Sequence, residues 1–177
     1  MRIAINAVAF YAAWLAAVLF AAKGWPLASI GSCGAVIALH LWMAERSGIE
    51  AAHIVAAAVT GFALETLLLQ AGLATYASGG PLDGAAPAWV VFLWMAFATL
   101  FNCSLAWLKP RLWLAIVFAF VGGPASYWAG AKLGAMELAQ PVWISLGVIG
   151  VLWAIAFPSL MVLTRLTGAG DAPARET

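Results

Sequence analysis

Apolar residues run through this chain in blocks of about twenty, with the polar residues gathered between them. The blocks lie near 3–22, 26–44, 51–77, 88–108, 112–134 and 142–163. A helix rising about 1.5 Å per residue needs about twenty such residues to cross the hydrocarbon of a bilayer. None of the blocks shows the period-two alternation of a barrel strand, so each is predicted to be a helix. The breaks between them are chemically distinct. Gly24-Trp25-Pro26 predicts a tight turn, and "ERSGIE" (45–50) a charged loop. "SGGPLDGAAP" (78–87) is rich in glycine and proline, and Pro110 in "KPR" (109–111) cannot continue the preceding helix. "MELAQP" (136–141) follows the fifth block, and "TGAGDAPARET" (167–177) predicts a disordered polar tail. The expected fold is all-α: one polytopic membrane bundle of six transmembrane helices over residues 1–166.

Composition supports lipid as the solvent. The chain has 177 residues, 66% hydrophobic and only 8% charged, against roughly 25% charged in soluble domains. A net charge of +1 excludes the basic surface that nucleic acid requires, so membrane lipids are the expected partners. The positive charges also orient the spans. Arg2, Arg46, Lys109, Arg111, Arg165 and Arg175 fall on one side and Lys23 and Lys132 on the other. The richer side is expected to be cytoplasmic, which puts both termini in the cytoplasm of a bacterial inner membrane. Trp25, Trp42, Trp89, Trp107, Trp113 and Trp143 fall near predicted span ends, where amphipathic rings prefer to lie. The first block could pass for a signal peptide, but Ile3–Ala22 is long for one and right for a span.

Little in the sequence points to cofactor chemistry. Cys33 and Cys103 lie in apolar runs, and no CxxC, HExxH, phosphate loop or nucleotide fingerprint is present. No metal and no cofactor is expected. Asn102-Cys103-Ser104 matches a glycosylation sequon, but a site inside a span is not an acceptor.

The candidate chemistry is a set of polar side chains within the blocks. Glu65 shares a face with Ala58, Gly61 and Gly72 at helical spacing, so it is expected to face protein rather than lipid. A carboxylate near the middle of a span costs about 2.5–3.5 kcal/mol on insertion scales, which leaves pairing or protonation as the ways out. Ser29, Cys33 and His40 form a stripe on the second span; Thr99 and Asn102 share a face of the fourth; Asn6 lies near the start of the first. Glu65, His40 and Asn102 are therefore candidate catalytic residues: acid or base, proton partner and orienting donor. Asn6, Thr99, Ser104 and Tyr127 are candidate binding residues. Each also has a plainer reading. A histidine can simply be hydrogen-bonded, an asparagine can join helices, a hydroxyl can bond back to its own helix, and Tyr127 can be packing. Gly122, Ser126, Gly130 and Gly134 recur every fourth residue. This small-residue ridge at 122–134 would admit a close helix, within the chain or from a membrane-protein partner.

Asn6 with Trp14, "ALHL" (38–41), the acid of the third span, "LWMAFATLFNCSLAWL" (93–108) and "GGPASYWAGAKLGA" (122–135) together resemble a family of small bacterial inner-membrane proteins. It is classed as a domain of unknown function. The family pattern reads Asn-His-Ser-Leu where this chain has Asn102-Cys103-Ser104-Leu105, and more often Asp where it has Glu65. Cys103 could replace a packing group or a ligand, not a proton carrier at neutral pH. Members sit beside genes for fatty-acid-modifying enzymes, so the resemblance implies a lipid-linked role. Three functions stay open: a lipid-modifying enzyme or lipid-binding accessory, a small proton-coupled transporter, and a scaffold that docks a partner through the ridge.

Overall fold

The computed structural model describes residues 2–80 and 82–167. Six α-helices and two short strands follow one another as α1 (Arg2–Ala22), α2 (Pro26–Met43), α3 (Ser47–Gln70), β1 (Ala74–Tyr76), α4 (Ala88–Ala98), α5 (Leu112–Lys132), β2 (Met136–Leu138) and α6 (Val142–Leu166), with a 3-10 turn at Ala106–Leu108 before α5. All the helices except α4 are long and apolar enough to cross a membrane. Neighbours in sequence pack as hairpins, α1 on α2, α3 on α4 and α5 on α6, while α2 also packs on α4 and α3 on α6. The predicted tail lies outside the described residues apart from Thr167, whose hydroxyl is hydrogen-bonded to His53 at 2.7 Å.

The helices stop where their sequences tell them to. After α1, α3 and α5 the chain turns through Gly24, Gly72 and Gly134, each at positive φ. Each glycine closes the same cap. The amide after it bonds back five residues, as Trp25 does to Phe20, Leu73 to Leu68 and Ala135 to Gly130. This is a Schellman ending, and it satisfies carbonyls that a helix end otherwise leaves bare. At α3 it corrects the expected span 51–77. The helix ends at Gln70, and Ala74–Tyr76 instead pair antiparallel with Met136–Leu138, Tyr76 opposite Met136. Because α3 also begins at Ser47, Glu65 lies near its far end and not at its middle.

The fourth span departs further. The block 88–108 is helical only to Ala98, and 99–105 is a series of turns. Thr99, Asn102, Cys103 and Ser104 are poor helix formers that compete for backbone hydrogen bonds. The segment still runs the length of the bundle: Trp89 donates to Ser78 O at the strand end, and Asn102 reaches Glu50 at the start of α3. Irregular backbone at membrane depth survives only when protein covers it, and Asn6 of α1 does so here. Its amide donates to Thr99 O at 3.1 Å, and its oxygen accepts from the Ser104 hydroxyl and amide. Three residues expected to bind ligand, Asn6, Thr99 and Ser104, thus form a clip on the broken helix. Replacing Asn6 with Leu would strand those groups. The expected loss is about 2–3 kcal/mol, read as a lower thermal midpoint of the purified protein, with Asn6→Gln milder.

Tight contacts set the other helix spacings. A Cβ on Gly61 would lie 2.2 Å from Trp94 Cγ, and one on Gly123 2.5 Å from Trp153 Cγ. Pro124 has no amide to give the carbonyl of Phe120, and Gly150 of α6 lets that carbonyl approach. The small ridge of α5 behaves differently from its expectation within the chain. Gly122, Ser126 and Gly130 line a cavity, and Gly134 lies beyond the helix end. Trp25, Trp42, Trp107, Trp113 and Trp143 are exposed at helix ends as expected, whereas Trp89 is buried.

The helix–strand–helix run α3–β1–α4 is matched by α5–β2–α6. Gly61, Glu65 and Gly72 of the first correspond in spacing to Gly123, Tyr127 and Gly134 of the second, and Glu65 and Tyr127 stand 62 residues apart. Pro87 and Pro141 cap the helices that follow. The two units meet through the β1–β2 pair.

Candidate functional site

Glu65 is buried, 1% exposed, among three donors. Trp94 Nε1 donates to its Oε1 at 2.7 Å. Tyr127 donates to the same oxygen, and Tyr76 donates to Oε2. Indole nitrogen can only donate, and carboxyl oxygens can accept from it and from the two phenols, so the set is matched. Each donor comes from a different element. Tyr76 is delivered by β1, because the chain turns back at Gly72. Trp94 reaches Glu65 across Gly61, which offers no side chain in the way. Tyr127 stands on the buried face of α5 with Ala119, Gly123 and Gly130.

This carboxyl forms part of the wall of a cavity of about 370 Å³ bounded mainly by α1, α4, α5 and α6. The rest of the wall is largely aromatic: Trp14, Trp89, Trp94, Phe97 and Trp153, with Tyr76 and Tyr127. Tyr11 of α1 and Phe118 of α5 also line it and are exposed. The cavity therefore opens sideways between those two helices, near the middle of α1 and about a third of the way along α5. No lysine, arginine or histidine lines it among the described residues. Trp153 Nε1 is buried with no hydrogen-bond partner.

His40 and Asn102, grouped with Glu65 on sequence, are at the other end of the bundle. Glu50 is their acid. His40 Nε2 is 3.1 Å from Glu50 Oε2, and Asn102 Nδ2 donates to Glu50 Oε1 at 2.8 Å. Asn102 Nδ2 also lies 3.2 Å from His53 Nδ1, whose Nε2 faces Thr167, and Lys109 donates to the Asn102 oxygen. From Glu50 to Glu65 is fifteen residues of α3, about 22 Å along the helix. Between the two sites stand Phe97, Phe101 and Phe157, with ring centroids 5.2–5.6 Å apart. Phe101 and Phe157 are fully buried. The lower cluster ties α2, α3, α6 and the 99–109 segment together beside a smaller cavity of about 250 Å³, lined by Asn6, His40, Arg46, Glu50, Asn102 and Cys103 among others.

Sequence reasoning placed Tyr127 among binding residues but did not name Tyr76, Trp94, Glu50 or His53. A signal existed for two of them. Glu50, His53, Ala57, Gly61 and Glu65 recur at helical spacing, and all are buried on one face of α3.

No characterised protein and no solved structure matches the chain. Residues 3–159 match the family described as proteins of unknown function, DUF2878. That stretch contains Glu65 with its three donors and all of the lower cluster except Thr167, and on it the chain belongs to the DUF2878 family.

Proposed function

We propose that this is a lipid-binding membrane protein whose lateral cavity takes up a bilayer amphiphile and holds the polar end of that molecule at Glu65. One observation carries the reading: a buried carboxyl forms part of the wall of an aromatic cavity that opens sideways, between α1 and α5. Ligand sites are concave, mostly apolar and marked by a few placed polar groups, and this one has the lateral door a membrane ligand needs. A bundle with its Arg46, Lys109, Arg111 and Arg165 end in the cytoplasm follows the positive-inside rule. The segment 88–108 then makes a sixth crossing, half helix and half turns, and the strand pair lies at the outer face of the inner membrane.

The separation of Glu65 from His40 and Asn102 favours binding over lipid modification by those three groups. The Phe97–Phe101–Phe157 plug between the two polar sites weighs against a proton-coupled path through the bundle.

A photoactivatable acyl lipid in vesicles tests the proposal. Labelling should reach the peptides that carry Tyr127 and Trp153. A Cβ on Gly122 meets only Phe118, at 3.9 Å, so Gly122→Trp should fold, fill the door and remove that labelling. Label confined to the outward side chains Val117 and Val121, unchanged in Gly122→Trp, would overturn the reading. A crosslink from position 122 to a second protein would instead support the ridge as a partner's docking face.

A further inference from the structure

We propose that the polar end of the ligand is an organic cation, an ammonium head on an apolar tail; this rests on the lipid-binding reading above. Charge complementarity is the first ground. Glu65 is the acid of the cavity wall, and no basic side chain lines that wall among the described residues. An anionic head, such as a free fatty-acid carboxylate, would meet a carboxyl with nothing to balance either group. The acceptor inventory is the second ground. Oε1 already takes Trp94 and Tyr127, but Oε2 takes Tyr76 alone. A carboxylate oxygen accepts about two hydrogen bonds, so Oε2 keeps capacity for one more donor.

The rings are the third ground. Trp94 and Trp153 lie with centroids 4.5 Å apart, Tyr127 stands edge-on to Trp153 at 6.3 Å, and Tyr76 edge-on to Trp89 at 6.0 Å. Rings set at such different angles cannot all turn the same edge to the space they enclose. Faces carry the negative part of the ring quadrupole, and a cation held among several of them is the arrangement by which proteins recognise alkylated ammonium groups. A neutral alcohol would use Oε2 but gain nothing from the faces.

Depth agrees with this. Glu65 is five residues from the end of α3 at Gln70, whereas Tyr11 and Phe118 flank the door well inside their helices. A head at Glu65 therefore lies near the membrane surface, and its tail leaves toward the membrane centre.

The test is competition against the photoactivatable acyl probe in neutral maltoside micelles. The competitors are hexadecylammonium, whose N–H groups can donate to Oε2, and its uncharged isostere with carbon in place of nitrogen. The ammonium compound should protect the Tyr127 and Trp153 peptides at a concentration about tenfold lower or more. Glu65→Gln, which keeps the volume and the acceptor oxygen, should draw the two concentrations together. Equal protection by both compounds on the unaltered protein overturns the cation while leaving the cavity reading intact. Failure of the probe to label the cavity at all overturns both.

Discussion

Gly61→Ala is expected to lower the stability of the folded protein by about 3 kcal/mol or more, through a single methyl group. The added Cβ would lie 2.2 Å from Trp94 Cγ, so one side must move. Trp94 has little room to retreat, because Trp153 lies tilted against it with centroids 4.5 Å apart. Overpacking a close contact costs about 1–3 kcal/mol. Displacing the indole also takes Nε1 from Glu65, and a buried group left without its partner costs about 1–3 kcal/mol more. For a chain of this size the two together shift the thermal midpoint by about 6–12 °C. A scan of the detergent-solubilised variant measures it; an unchanged midpoint would show that α3 and α4 do not meet at Gly61.

The second large effect separates two substitutions of one residue. Glu65→Leu removes the acceptor of Trp94, Tyr76 and Tyr127 together. Three stranded donors cost about 1–3 kcal/mol each. Against this stands the relief from taking a carboxyl out of a span, about 2.5–3.5 kcal/mol at a helix centre and less toward the end where Glu65 lies. The donors win, and a net loss of about 2–4 kcal/mol is expected. Glu65→Gln is expected to be near neutral. Its oxygen can accept from Trp94 and Tyr127, and its amide can donate to the Tyr76 oxygen. Thermal midpoints of the two variants side by side check the prediction, and equal midpoints would mean that the three donors find other partners.

Much of the helical architecture can be read directly from the chain. Apolar blocks, glycine and proline breaks and the small-residue face beneath Glu65 all point to a bundle with that carboxyl turned inward, as the structure has it. Two lengths were not legible. Residues 73–77 are as apolar as a helix needs, so the block pattern runs straight through Gly72; only the capping geometry at that glycine shows that the helix stops. Residues 99–108 likewise read as a continuous span, because hydropathy does not register that Thr99, Asn102 and Ser104 favour turns.

The partner of Glu65 followed from those lengths. A helix centred in the membrane would put Glu65 level with the polar residues of other spans. A helix from Ser47 to Gln70 carries it past them to Tyr76 and Trp94. Glu50 was hidden for the opposite reason: among the charges of "ERSGIE" it reads as a loop residue, yet it is 7% exposed in the first turn of α3.

The pairing of β1 with β2 has a consequence for the cavity. Tyr76 and Met136 oppose each other in that ladder, and both side chains line the space in front of Glu65. Successive side chains of a strand point to opposite faces, so a slip of one residue in either strand would turn its side chain away and present a neighbour instead. Three backbone pairs thus act as a gauge, and the width of the space in front of Glu65 is calibrated where the two helix–strand–helix units are zipped together.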